Sequence, residues 1–158
     1  MKIDRMDKRL LMVLHQDASA PQRKLAERIG LSQNALWRRL KRLEAAGIVK
    51  GSRPCIDLAA LGFDLTVFVM IRTRNHSIDW AERFRDHVAR IPEVVEMHRI
   101  GGDWDYMLKI VTQGMAGYDR VYRQLTTGTE LETVTGHFSM ETMLSGRMPD
   151  LEAAAPRA

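Results

Sequence analysis

The chain has 158 residues and a mass of 18.1 kDa, a length that suits one medium domain or two small ones joined by a short linker. Its composition, 45% hydrophobic and 28% charged, is ordinary for a globular protein and argues against wholesale disorder. The longest strongly apolar run, residues 65–71, is too short to span a bilayer as a helix, and the charged amino end lacks the apolar core of a secretory signal. Because Cys55 is the only cysteine, an intrachain disulfide is excluded, and we expect a reduced, cytoplasmic compartment.

The net charge of +4 is unevenly distributed along the chain. Residues 1–60 hold 13 Lys and Arg against 6 Asp and Glu, which gives +7, whereas residues 61–158 hold 11 against 14, which gives −3. A basic first third joined to a mildly acidic remainder indicates nucleic acid as the partner of the first part and a different partner for the second.

Apolar periodicity predicts three short helices in the first 47 residues. The first covers residues 3–14, with Asp4 or Asp7 available as its cap or first-turn acid. The second covers residues 22–29 and ends at Gly30.

The third helix begins after Ser32 and ends before Gly47. Two short apolar pieces, residues 48–50 and 55–56, then flank the sequence 51–54. This pattern predicts a small β-hairpin, or wing, that follows the helix-turn-helix.

The remaining residues alternate between strand and helix periods. The pattern predicts a strand buried on both faces, a helix, two strands, a second helix and a last strand, at residues 65–72, 79–91, 94–100, 106–111, 118–125 and 133–142. The order βαββαβ is that of the split-βαβ, ferredoxin-like sandwich. We therefore predict an α+β fold with a winged helix-turn-helix domain, a ferredoxin-like domain and a frayed tail, at residues 1–62 (wing and linker about 48–62), 63–149 and 150–158.

The third helix presents a polar and basic face. On a wheel of 100° per residue, Leu36, Leu40 and Leu43 lie within about 60° of each other and must face the core. An Arg can pair in bidentate fashion with guanine and an Asn with adenine, each contact contributing about 1–3 kcal/mol of discrimination, while neighbouring cations neutralise phosphates. We predict DNA contacts from the residues on or beside this face and in the wing: Ser32, Gln33, Asn34, Trp37, Arg38, Arg39, Lys41, Arg42, Lys50 and Arg53.

Two alternatives stay open for this face. The basic run at residues 38–42 is also what a solvated helix surface looks like. Trp37 is equally compatible with packing against a neighbouring helix.

A family signature is visible in four segments: Leu25-Ala26-Glu27-Arg28-Ile29-Gly30-Leu31-Ser32, Arg42-Leu43-Glu44, Gly47-Ile48-Val49 and Leu61-Gly62. Through these segments, residues 3–62 resemble the winged helix of the Lrp/AsnC (feast/famine) transcription regulators. Ala18 and Pro21 depart from the family pattern, where a Gly and a Ser/Thr-type cap are more usual.

The loop Gly101-Gly102-Asp103-Trp104-Asp105 suits a zwitterionic ligand. Glycines leave backbone N–H groups open to a carboxylate, and Asp103 or Asp105 can accept hydrogen bonds from an ammonium group. The same residues are also ordinary hairpin-turn chemistry, which is the alternative interpretation.

The Lrp/AsnC resemblance continues through this part of the chain, in Pro92-Glu93-Val94 and in Gly102-Asp103-Trp104-Asp105-Tyr106. It implies an amino-acid effector held between neighbouring dimers, near this loop and the last strand. By that analogy the candidate effector residues are Arg99, Gly102, Asp103, Asp105 and Thr135. The segments 37–44 and 76–80 are similar to a cysteine-responsive sub-branch. Residues 143–149, which correspond to the rim of the effector pocket in the family, are one residue shorter than the family pattern.

Enzyme and metal sites find little support. His15, His76, His87, His98 and His137 form no i, i+3 or i, i+4 pair on a predicted helix, and there is no phosphate-binding loop or nucleophile elbow. We therefore expect no catalytic residue, no metal and no cofactor. The alternatives are a sirohaem-type decarboxylase subunit, which shares the two-domain architecture, and a metabolite-sensing subunit that regulates an enzyme by contact.

We predict a DNA-binding transcription regulator that is not an enzyme and whose operator affinity responds to an amino acid. The apolar strand at residues 65–71 favours a homodimer that buries its sheet, and two-fold symmetry would place two recognition helices on a pseudo-palindromic operator. The resemblance implies further assembly into an octamer.

Overall fold

The computed structural model describes residues 2–153 and contains two compact units. The first unit comprises the chain up to Cys55 together with the segment from Leu144 onward, and the second is Ile56–Met143. Of the tail predicted to be frayed, residues 154–158 lie outside the described part. Glu152, which is described, lies 3.7 Å from the guanidinium of Arg5.

The first unit is built from three helices, as predicted: α1 (Arg5–Gln16), α2 (Gln22–Ile29) and α3 (Gln33–Ala45). Local signals set their ends. Asp4 and Asp7 form a reciprocal capping box at the start of α1, and Gly30 ends α2 with a φ of 73°. The Oγ of Ser32 accepts the Ala35 N–H at 3.3 Å and so caps α3.

The helices of the first unit enclose a small apolar core. Leu10 of α1, Leu25 of α2, and Leu36 and Leu43 of α3 are fully buried together. The stripe predicted on the third helix therefore faces this core, and the polar side of α3 is left on the surface.

The structure differs from the predicted hairpin wing. Among the described residues, 46–64 contain no strand; they carry only a short 3-10 turn at Ala59–Leu61. Val49 of the first apolar piece packs against the core of the first unit, whereas all of residues 50–64, including the second piece, are exposed. An isolated two-stranded hairpin is only marginally stable, and Pro54 would also remove one ladder donor.

The second unit is the predicted βαββαβ sandwich. Its elements are β1 (Leu65–Arg72), α4 (Ile78–Val88), β2 (Val94–Arg99), β3 (Tyr106–Thr112), α5 (Gly114–Thr126) and β4 (Thr133–Phe138). The sheet is antiparallel with strand order β2-β3-β1-β4, and its core unites the strands with α4 and α5. The last strand ends four residues before its predicted end.

Strand β1 alternates in burial, which corrects the expectation that both its faces are covered. Val67, Val69 and Ile71 are fully buried under the helices, whereas Phe68 and Met70 on the other face are half-buried. The sheet thus has one helix-covered face and one open face. Within residues 2–153, every helix is too short or too polar to cross a bilayer.

Candidate nucleic-acid interface and effector loop

The exposed face of α3 consists of Gln33, Asn34, Trp37, Arg38 and Lys41. These side chains project from the surface because the leucine stripe on the other side of the helix anchors it in the core. Trp37 is 49% exposed, so the structure does not support its packing against a neighbouring helix. The face combines donors and acceptors able to read base edges with a cation able to reach phosphate.

Arg39 and Arg42, two of the predicted DNA contacts, form ion pairs with acidic residues at the start of α1. The Nη1 atom of Arg39 lies 2.6 Å from Asp4 Oδ2 and 2.8 Å from Asp7 Oδ1, and Arg42 pairs with the other oxygen of Asp7. The helical wheel placed both residues on the flank of the stripe, and in the folded unit that flank faces the start of α1. The wheel contains no information about the neighbouring helix and could not reveal these pairs.

The charged groups of Asp4, Asp7 and Arg39 stabilise one another. The Arg39 guanidinium, followed by the Asp7 backbone N–H, lowers the pKa of the Asp4 carboxyl below its ordinary value. In turn, Asp4 and then Asp7 raise the pKa of Arg39. Both residues are therefore held in their charged forms.

The other predicted DNA contacts differ in their surroundings. The hydroxyl of Ser32 is used as the N-cap, and the Nζ of Lys41 lies 2.8 Å from Glu44 on the same helix. Lys50 and Arg53 are exposed on the segment after α3.

The candidate effector loop joins β2 to β3 and is held from β1. The Nε of Arg72 donates to the Asp103 carbonyl at 2.8 Å, and its guanidinium lies 5.1 Å from the centre of the Trp104 ring. Gly102 has a φ of 107°, a conformation that favours glycine. In the described part of the chain, the N–H groups of residues 101–103 donate to no protein acceptor. The loop can therefore offer backbone donors to a carboxylate.

The two loop carboxylates have different environments. Asp105 is half-buried, and its side chain accepts the Thr73 N–H at 2.8 Å and lies 3.7 Å from His76 Nδ1. The Asp103 carboxylate is exposed. Asp105 thus helps to fix the loop to the end of β1, whereas Asp103 is accessible to a ligand.

The sheet register separates two other effector candidates. Arg99 lies opposite Tyr106, which in turn lies opposite Ile71, and these two neighbours face the helices. Thr135 pairs with Met70, which lies on the open face. Arg99 and Thr135 therefore occupy opposite faces and the two edge strands, about 14 Å apart at the usual strand spacing. Within one protomer they do not share a site for a small molecule.

Sequence reasoning missed the residues that follow β1. A depression of about 640 Å³ is lined by Arg74, Asn75, His76, Glu130, Leu131 and Glu132. Arg74 pairs with Glu132 at 3.3 Å. The signal that could have found these residues is topological, because antiparallel pairing of β1 with β4 places the end of β1 beside the start of β4 and the residues that precede it.

The described residues contain no cluster of candidate metal ligands. Across residues 2–153, no group of three or more His, Cys, Asp or Glu side chains is arranged to hold a metal ion.

Two family matches cover most of the chain. Residues 3–50 match the winged helix-turn-helix DNA-binding family, and residues 66–149 match the Lrp/AsnC ligand-binding domain. The chain is also 39% identical over 157 residues to the glutamate uptake regulatory protein of Zymomonas mobilis, a match that covers 99% of this chain and 96% of that protein. The chain belongs to the Lrp/AsnC family of transcriptional regulators.

Solved Lrp/AsnC-type structures agree with this assignment. An AsnC family transcriptional regulator from Agrobacterium tumefaciens is 35% identical and superposes with a TM-score of 0.90, over 96% of this chain and 99% of that one. A transcriptional regulator from Neisseria meningitidis, solved as a complex with L-Met, is 26% identical with a TM-score of 0.84, over 90% of this chain and 92% of that one. The predicted family and fold class are confirmed.

Membership in the Lrp/AsnC family makes the chain a DNA-binding transcriptional regulator with a ligand-binding domain. It favours this function over a tetrapyrrole decarboxylase subunit and over a subunit that regulates an enzyme by contact. The similarity to a cysteine-responsive sub-branch stays a prediction.

Proposed function

We propose that this Lrp/AsnC regulator binds a pseudo-palindromic operator through the exposed face of α3, and that an amino acid bound at the β2–β3 loop changes its operator affinity. The observation that carries the DNA half is the face itself: Asn34, Trp37 and Arg38 are exposed on a capped helix whose other side is locked into a core. In this proposal Asn34 and Arg38 read base edges in the major groove, while Lys41, Lys50 and Arg53 contact phosphates.

A homodimer would supply the second recognition helix. The open sheet face exposes part of Phe68, Met70 and Met107, and pairing it with a second copy would remove this apolar surface from water. Two-fold symmetry then places two α3 helices about 34 Å apart, on successive turns of the major groove. Assembly of dimers into an octamer, action in the cytoplasm and the lack of a catalytic activity are parts of the same proposal.

Binding to the protein's own upstream region, measured against random duplexes of equal length, tests the DNA half. Three cations per protomer, Lys41, Lys50 and Arg53, give about six phosphate contacts in a dimer and a log–log salt slope of about −5. The variant Arg38→Ala should reduce operator affinity, whereas Arg83→Ala, an exposed arginine of α4, makes the same charge change and should not. No preference of the wild-type protein for the upstream region at any salt concentration, with amino acids supplied, would refute the proposal.

The effector half is supported by the chemistry of the β2–β3 loop. Its open N–H groups suit a carboxylate, and the exposed Asp103 suits an ammonium group, so the loop complements both ends of a zwitterion. The complex of the Neisseria meningitidis relative with L-Met also favours an amino acid. A coupling of about 1–3 kcal/mol between ligand and DNA would be enough to regulate.

Thermal stabilisation of the purified protein by each of the common amino acids tests this half. We expect one or a few of them to raise Tm, and Asp103→Asn to abolish that response while DNA binding without effector is unchanged. Asp105→Asn should also weaken the response, but through loosening of the loop, because its carboxylate holds Thr73. The matched control is Asp119→Asn on the exposed side of α5, which should respond like the wild type.

A further inference from the structure

The carboxylate of Asp7 is fully buried, although Asp7 lies in the first turn of α1. Together with its hydrogen-bonding partners, Asp4, Arg39 and Arg42, it forms one cluster of charged residues. Its Oδ1 accepts from Arg39 Nη1 at 2.8 Å, and its Oδ2 accepts from Arg42 and from the Asp4 N–H, the latter at 3.0 Å. The buried anion is thus fully satisfied, with two of its three partners on α3.

This arrangement constrains α3 in a way that apolar packing does not. Arg39 and Arg42 are three residues apart on one flank of the helix, and both converge on a single carboxylate. Any rotation or axial shift of α3 would break two charge-assisted hydrogen bonds and leave a buried charge without its partners. Leucine side chains tolerate small shifts, whereas directional hydrogen bonds to a fixed anion do not.

The same cluster changes which cations face DNA. Asp4 and Asp7 together neutralise Arg39 and Arg42, so this flank of α3 has no net charge. Arg38, in contrast, lies on the exposed face and forms no ion pair with a described residue. Helix α3 therefore carries four cations, Arg38, Arg39, Lys41 and Arg42, and the start of α1 neutralises two of them.

We propose that Asp7 is a positioning and specificity-determining residue for DNA binding. It holds the base-reading face of α3 in register and withholds Arg39 and Arg42 from phosphates, so that sequence-independent attraction stays weak relative to base contacts. This inference rests on the proposed function of α3.

The test is Asp7→Asn, with binding to the operator and to a random duplex measured by fluorescence anisotropy over a range of salt concentrations. We expect the operator preference to fall by about tenfold or more, the worth of one base contact. We expect binding to random DNA to strengthen, because Arg42 loses its only ion-pair partner among the described residues and Arg39 keeps Asp4 alone. The salt slope should become steeper by about 0.9 to 1.8 per protomer. A folded Asp7→Asn protein with unchanged preference and unchanged slope would overturn the inference.

Two further variants separate positioning from charge. In Asp7→Asn/Arg39→Gln/Arg42→Gln, the released cations are removed, so the salt slope should return to the wild-type value while the operator preference stays low. Recovery of the preference would show that Asp7 acts through charge alone and would overturn the positioning role. Glu27→Gln on α2 makes the same charge change in the same unit, away from this cluster, and should leave the preference intact.

If circular dichroism shows that Asp7→Asn does not fold, Asp4→Asn decides the question. Asp4 is half exposed and shares Arg39 with Asp7, so its loss releases that arginine only in part. We expect a smaller fall in preference and a slope steeper by up to about 0.9 per protomer; no change in either would overturn the inference. A wild-type protein without operator preference would instead refute the proposed function, so the two failures are distinguishable.

Discussion

Helix α5 packs so closely against β3 at Gly117 that a larger residue there should destabilise the second unit. A Cβ atom added at Gly117 would lie 2.2 Å from Thr112 Oγ1 and 3.3 Å from Thr112 Cβ, and both residues are buried. Helix propensity alone favours Ala over Gly by about 1 kcal/mol, whereas overpacking a core costs about 1–3 kcal/mol. Since 2.2 Å is a severe overlap with a short, branched side chain, we expect the overlap to dominate.

The expected result for Gly117→Ala is a net destabilisation of about 1–2 kcal/mol. In a domain of this size, each kcal/mol lowers Tm by about 4–8 °C. Thermal unfolding of the full chain, followed by calorimetry, measures the shift in the transition of the second unit.

Two comparisons isolate the cause of that shift. Thr112→Ala in the Gly117→Ala background removes the overlapping oxygen and should recover stability, whereas Thr112→Val replaces the oxygen by a methyl group and should not. Ala116→Gly, one residue earlier on the exposed side of α5, reports propensity alone and should cost about 1 kcal/mol. A Gly117→Ala protein with a raised Tm, or one that Thr112→Ala does not rescue, would contradict the steric reasoning.

Three other outcomes follow from single contacts. Ser32→Ala removes the cap of α3 and should cost the first unit about 1 kcal/mol, measured by chemical denaturation, together with operator affinity. Because Arg39 lowers the pKa of Asp4, this pair stabilises the fold above the ordinary pKa of 3.8, and the contribution is lost as the pH falls through the lower folded-state value. Asp4→Asn should therefore flatten the fall of Tm at acid pH. An unchanged fall would exclude the pair as its cause. Gly136→Ala would bring a Cβ atom 2.3 Å from Tyr118 Oη, so it should lower Tm, and Tyr118→Phe should recover part of the loss.

Local sequence signals were sufficient to place most of the elements. The predicted second helix, 22–29, coincides with α2, and the predicted first strand of the sandwich coincides with β1. These ends are set by residues that act within one turn, such as the Ser32 cap and the left-handed Gly30, and such effects can be seen in a linear sequence. A hairpin wing, in contrast, forms only where it packs against another surface, which the linear sequence does not show. The two apolar pieces therefore predicted strands that residues 46–64 of the structure do not contain.

In the candidate sites, too, the sequence predicted what depends on one element and missed what depends on the packing of two. The leucine stripe of α3 identified its exposed face, including Asn34 and Arg38, because helical periodicity relates residues of one element. The pairing of Arg39 with Asp7 joins residues 32 positions apart and depends on how α1 crosses α3. A one-dimensional pattern contains no such distance.

By itself, the sequence determined the two-domain organisation, the capped recognition helix and the glycine-aspartate loop of this regulator, because periodicity, caps and turn chemistry are short-range properties. Only the tertiary structure decided which polar and charged side chains are paired within the protein and which are open to DNA or a ligand. It engages Arg39 and Arg42 with the start of α1, turns Asp105 toward Thr73 and places Arg99 and Thr135 on opposite faces of the sheet. The physical reason is that the strength of an ion pair or hydrogen bond depends on distance and burial in space, which separation along the chain does not specify.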